Sequence, residues 1–173
     1  MVQKSFLVDV MLIKLGRWLR ILGYDCNIPN PDNREEIQDA FLASTAKKEG
    51  RVLLTMDREL SKEAEKHGTE VILIPSNLCH IRDQLRFLFK KSILDPAILN
   101  EIENLDLKTK CARCGGELEL ISKENFNQVQ NLNDWIRERH SQVWVCKSCK
   151  QVYWKGSHWK KMIVTLEEIK SKM

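Results

Sequence analysis

Three short apolar runs constrain the fold of this chain more than any other feature. Phe6 to Val8, Arg51 to Met56 and Glu70 to Pro75 show no polar alternation through their centres, as expected of strands buried on both faces. The segments between them have helical spacing instead. From Met11 onward Leu12, Leu15, Leu19 and Leu22 fall in one arc at about 100° per residue, and Gly23 supplies a stop. Further helices are expected from Glu35 to Glu49, from Arg58 to His67 and from Asn77 to Lys91, the last with Ile81, Leu85 and Leu88 as its apolar side. Asp95 and Pro96 open another, running to about Leu105. Tyr24 to Ile28, closed by Pro29 and Pro31, reads as one more short strand. Strands and helices alternating in this way require right-handed crossovers and a parallel sheet covered on both faces.

That topology bears on chemistry, because sites in open α/β sheets form at the carboxyl ends of the strands. Asp9 follows the first strand and Asp57 the strand ending at Met56, so the sheet puts two carboxylates on one edge. The ordinary role of an Asp there is a turn or a helix cap, and both readings stand. On the first helix Lys14, Arg17 and Arg20 form a basic stripe opposite the leucines. Ile13 and Ile21 lie within that stripe and Trp18 flanks it. A face meant only for water does not carry three large apolar residues, so the arc is expected to meet a second domain, a protein partner or nucleic acid.

Around Lys108 the character changes, which divides the chain into an α/β unit over 1–106 and a smaller unit over 107–173. The second unit opens with Cys111-Ala-Arg-Cys114 and closes its cysteine pattern with Cys146-Lys-Ser-Cys149. Two such pairs can face each other as knuckles around a structural Zn²⁺, with disulfides or a redox pair as the alternatives. No secretory leader pattern is evident, so an intracellular protein, cytoplasmic or nuclear and not secreted, is expected. Cys26 and Cys79 then read as ordinary thiols. No apolar run is long enough to span a membrane. Gly115 can supply the positive φ a knuckle needs, and Lys150 occupies the matching place in the second knuckle. The insert from Glu117 to Val145 has room for a strand and a helix, the latter carrying Trp135, Ile136 and Arg139.

Charge is spread unevenly. Residues 105–173 hold 13 Lys and Arg against 8 Asp and Glu, whereas 1–104 hold 15 against 16, so the basic excess sits in the second unit. After the second knuckle, Val152 to Trp159 interleaves aromatics with Lys155, and Lys160 and Lys161 follow. Such a stretch can stack on bases while its lysines meet phosphates, or it can simply cover a small ribbon with little core. His158 is open to three roles: an RNA contact, a turn residue or a further metal ligand.

The order D-x-M-L-x-K-L-x-R-W-L-R-x-L-G-Y-D, then R-V-L-L-T-x-D-R-x-L, then C-x-x-C…C-x-x-C…V-Y-W-x-G-S-H-W resembles the Mut-seven C-terminal RNase-type domain over nearly the whole chain. That resemblance implies a PIN-like α/β/α domain with a parallel sheet and a C-terminal zinc ribbon. It also implies acids that hold Mg²⁺ or Mn²⁺ for RNA cleavage. On this sequence Asp9 and Asp57 match acidic positions, Lys14, Arg17, Arg20 and Arg58 match basic ones, and Cys111, Cys114, Cys146 and Cys149 match the ribbon. Two departures stand out. Met56 replaces an Arg, and the middle acid, expected at about Ala40, is absent there although Asp39 adjoins it.

Three functions follow from these residues and the resemblance, of which a purely structural zinc-ribbon adaptor explains the apolar residues of the basic helix but leaves its arginines idle. The first is a single-stranded RNA-binding and docking module associated with a 3′–5′ exoribonuclease in RNA silencing or RNA processing, with contacts from Lys14, Arg17, Arg20, Arg58, Lys155, His158 and Lys160. A protein partner would meet the apolar residues of the first helix. The alternative is an active metal-dependent ribonuclease in which Asp9, Asp57 and Asp39 hold Mg²⁺ or Mn²⁺. The displaced middle acid favours the first.

Overall fold

The computed structural model describes residues 4–102, 108–130 and 132–173. Four strands build the first sheet: β1 (Phe6–Val8), β2 (Cys26–Asn27), β3 (Val52–Thr55) and β4 (Val71–Leu73). All pair in parallel in the order β2-β1-β3-β4, with Leu7 opposite Leu53 and Leu54 opposite Ile72. Helices α1 (Ile13–Ile21), α2 (Asp39–Glu49), α3 (Arg58–Lys66) and α4 (Ile81–Lys90) connect and cover them.

Alternation along the strands sorts the core into two layers. Phe6, Val8, Val52 and Leu54 face one way, against Leu12, Leu15, Leu19 and Leu22 around α1 and Leu85, Leu88 and Phe89 of α4. Leu7 and Leu53 face the other way, against Leu42, Ala43 and Ala46 of α2 and Leu60 and Ala64 of α3. This is the three-layer α/β/α arrangement that the apolar runs require. Gly16 allows α1 to approach the sheet, since a Cβ there would lie 2.8 Å from the side chains of Val8 and Ile28.

Several element starts differ from the sequence reading, each for a local reason. A 3-10 turn at Val10–Leu12 precedes α1. Helix α2 begins at Asp39 rather than Glu35, because side chains capture the preceding backbone in turns. The Asn33 side chain accepts from the Glu35 N–H at 3.1 Å, and Glu36 accepts from the Asn30 N–H at 2.8 Å. Helix α4 begins at Ile81, after a turn at its expected start. Beyond Asp95, which caps the Ala97 N–H at 2.9 Å, the chain forms a 3-10 turn at Pro96–Asn100. Both the expected end of that helix near Leu105 and the expected boundary at 106/107 lie outside the described residues.

The second unit is an antiparallel sheet of β5 (Leu118–Ser122), β6 (Gln142–Cys146) and β7 (Val152–Tyr153), in the order β5-β6-β7. Between β5 and β6 the insert folds over Phe126, Val129 and Leu132 and contributes α5 (Asp134–Arg139), whose Ile136 joins them in a small separate core. The closing helix α6 (Ser157–Lys170) does not pack there. Its Met162, Leu166 and Ile169 enter the core on the α1 and α4 side of the first sheet, so the last element of the chain fastens the ribbon to the α/β unit.

Candidate functional site

At the carboxyl edge of the first sheet, β1 and β3 end side by side. Asp9 extends the ladder by donating its N–H to Leu54 O at 3.0 Å. The residue is only 7% exposed, and its side chain accepts a hydrogen bond from Thr55 Oγ1 at 2.8 Å. The same Thr55 oxygen accepts the Asp57 N–H at 2.9 Å, so one hydroxyl ties the two acidic positions together. Asp57 is the N-cap of α3, its Oδ1 accepting from the N–H groups of Glu59 at 2.7 Å and Leu60 at 3.1 Å. Asp39, the first residue of α2, is exposed near this edge. Desolvation, then the charges of Asp57 and Asp9, raise its carboxyl above the usual range. Asp39 therefore lies within the field of the other two acids, despite its one-residue offset from the expected position. Thr55 carried no functional weight in the sequence. The available signal was a hydroxyl at a strand end two residues before an acid.

The three carboxylates are neighbours in charge, but they do not form a ready ion cage. Among the described residues, only the four cysteines make a group of three or more His, Cys, Asp or Glu ligands close enough to share one ion. Their ligand atoms all lie within 4.8 Å of one another. Cys111 and Cys149 sulfurs are 3.6 Å apart, and Cys114 and Cys146 sulfurs 3.5 Å. A tetrahedron with Zn–S bonds of about 2.3 Å has edges of about 3.8 Å, so the quartet fits a metal such as zinc. Burial opposes ionisation of Cys111, but the Tyr153 hydroxyl, 3.1 Å from its sulfur, and the N–H of Cys114 outweigh it and bring the thiol down to about 7. Burial and that same sulfur push the Tyr153 phenol up, which keeps it a donor. Gly115 turns the first knuckle at φ 79° and Lys150 turns the second at φ 60°, the latter costing about 1 kcal/mol.

The basic stripe divides. Lys14 and Arg17 are exposed on α1, and Arg58 is exposed beside Asp57. Arg20, expected among the RNA contacts, is instead 5% exposed. Its Nε donates to Cys26 O at 2.8 Å, and its Nη1 donates to Arg113 O at 2.9 Å and Ala112 O at 3.2 Å. The guanidinium thus bridges the second strand and the first knuckle. Burial lowers its pKa, and the sulfurs of Cys26, Cys114 and Cys111 oppose that shift. The physical reason is angular. Arg20 is turned about 60° from Arg17, toward the ribbon. Two apolar residues of the stripe are also used internally. Trp18 is buried in the core, and Ile21 packs partly against that core while its carbonyl accepts the Thr109 hydroxyl at 2.9 Å. Lys155, His158 and Lys160 are exposed around the start of α6, with the Lys155 ammonium 5.4 Å from the Trp144 ring centre and 5.8 Å from that of Trp159.

A family model of the Mut7-C RNAse domain matches residues 4–166, which takes in the acidic edge, the basic helix and the four-cysteine ribbon. The chain belongs to the Mut7-C RNAse domain family. Comparison with the curated proteins and with the solved structures gives no significant match. As a Mut7-C RNAse domain, the protein has an RNA-related, nuclease-like role. Among its described residues no helix is long and apolar enough to cross a membrane.

Proposed function

We propose that this Mut7-C RNAse domain is a single-stranded RNA-binding and docking module that presents RNA to a 3′–5′ exoribonuclease, in RNA silencing or RNA processing, with its ribbon held by a structural zinc. The observation that carries this reading is the occupation of the acids. Asp57 is engaged as a helix cap, and Asp9 is held by Thr55. Lys14, Arg17 and Arg58, by contrast, remain exposed on the surface that phosphates can reach. The link to an exoribonuclease rests on the family resemblance. Met11, 66% exposed in the 3-10 turn before α1, and the partly buried Ile13 at its first position are apolar residues available to a protein partner.

A second reading, an active metal-dependent ribonuclease, is favoured by Asp39, whose pKa is raised by desolvation first and then by the charges of Asp57 and Asp9. It requires the carboxylates to draw together around Mg²⁺ or Mn²⁺. One experiment separates the two. The purified chain is incubated with single-stranded RNA and Mn²⁺, alongside Asp9→Asn. Binding without cleavage in both proteins supports the docking module. Mn²⁺-dependent cleavage that Asp9→Asn abolishes establishes the enzyme, and absence of binding at low salt refutes both.

A further inference from the structure

A cavity of about 330 Å³ lies where the ribbon, the C-terminal end of α1 and the N-terminal end of α6 meet. That is the size of a small-molecule pocket. Its walls include Trp144, Tyr153, Trp154 and Trp159, with Lys110 and His158 among the polar lining and no Asp or Glu among the described lining residues. Gly156 is the N-cap of α6 and provides no side-chain cap, so the positive end of a 14-residue helix faces a chamber with no acid among its described lining residues. From Trp154 a row of rings runs out across the ribbon. His140 lies 6.5 Å from Trp154 and Trp135 lies 5.9 Å from His140, at interplanar angles of 52° and 56°. The Arg139 guanidinium stands 5.0 Å over the Trp135 ring. Trp135 is 49% exposed and Trp154 37%. A core does not need large rings left open in this way.

We propose that this face is a track for single-stranded RNA, in which the cavity takes one unpaired base and Trp154, His140 and Trp135 stack its neighbours. The inference rests on the RNA-binding reading above and assigns that binding a second surface. Separate tilted rings flanked by cations offer one stacking face per base, and every base has a π-face to place there. The described lining, which carries lysines and no acid, suits the phosphates that accompany those bases. A base entering beside Trp144 and Trp159 replaces the Lys155 ammonium over the indoles, and the ammonium turns to a phosphate. The position of Gly156 fits this arrangement. A Cβ there would lie 2.7 Å from Trp154 Nε1 and 3.0 Å from its Cδ1, so only glycine leaves the Trp154 ring in place. On α1, Lys14, Arg17 and Ile21 fall within about 60° of one another, and Ile21 lines the cavity. The exposed pair Lys14 and Arg17 therefore lies between the cavity at the C-terminal end of α1 and the acidic edge at its N-terminal end.

The test uses the full chain with zinc bound and a fluorescent oligouridylate, titrated at several salt concentrations. Trp135→Ala and Trp154→Ala remove exposed rings, and retained zinc content and circular dichroism verify their fold. Each should weaken binding by about 5- to 150-fold. The dependence on salt should not change, since no cation is lost. Gly156→Ala should weaken binding through Trp154 without removing a ring. Lys14→Ala with Arg17→Ala should instead weaken binding and flatten the salt slope. If the double basic variant loses affinity while the ring variants bind as tightly as wild type, the track is overturned, the proposed RNA-binding function stands, and the rings belong to a protein-facing surface. If wild type fails to bind at low salt, both fall.

Discussion

Arg20→Ala is the most direct test of how this protein is assembled. The side chain makes three hydrogen bonds to backbone carbonyls, on Cys26, Ala112 and Arg113, from a position almost without solvent. A hydrogen bond from a charged donor contributes about 1.5–3 kcal/mol. The two bonds to the knuckle share Nη1, and burying the guanidinium has its own desolvation cost, so the full sum does not apply. A net loss of about 3 kcal/mol follows, and in a chain of this size that lowers the melting temperature by about 6–12 °C. Arg20→Lys should recover little, because one ammonium cannot fork between Cys26 and the knuckle. The assay is thermal denaturation of the zinc-loaded protein followed by circular dichroism, with RNA affinity measured on the same samples. Affinity should be unchanged, whereas Arg17→Ala should lower affinity and leave the melting temperature alone. If Arg20→Ala melts like wild type and binds RNA weakly with a flattened salt slope, then Arg20 is a phosphate ligand and the clamp is wrong.

Other outcomes follow from the same geometry. Metal analysis should find one zinc per chain, and Cys146→Ser should unfold the ribbon, because so small a unit depends on its metal; a disulfide within either cysteine pair would refute this. Tyr153→Phe removes the hydroxyl 3.1 Å from the Cys111 sulfur and should weaken zinc binding by about 10- to 100-fold in chelator competition; unchanged affinity would show that this contact does not tune the site. Asp39 has a raised carboxyl pKa in the folded chain, so its ionised form is disfavoured by folding. Stability should fall as pH rises through the window between its unfolded and folded values. Asp39→Asn should therefore raise the melting temperature at neutral pH, by an amount that fades once the carboxyl is protonated in both states. A gain that persists at low pH would mean that charge is not the cause.

Much of the α/β unit was legible because its determinants are local. An unbroken FLV or VLLT run can satisfy both of its faces only inside a parallel sheet. The leucine arc of α1 then fixes which side of that helix turns inward, and the order of elements sends Asp9 and Asp57 to one edge. The paired C-x-x-C spacing likewise specifies a quartet, because short knuckles hold two sulfurs apiece whatever surrounds them. The true start of α2 was not legible. It depends on Asn30, Asn33 and Glu36 winning the backbone from the helix, a competition between nearby hydrogen bonds that periodicity does not register. Arg20 shows the larger gap. Its place in a basic stripe is a property of one helix, but the carbonyls it binds on Ala112 and Arg113 lie more than 90 residues away. The same holds for Trp18 and Ile21, for α6 entering the core of the first unit, and for the cavity between ribbon and helix. Local periodicity determines which side of an element is apolar. Only the packing of distant segments decides whether a cation on the other side meets water, a phosphate or a carbonyl, because the free energy of that choice belongs to the partner.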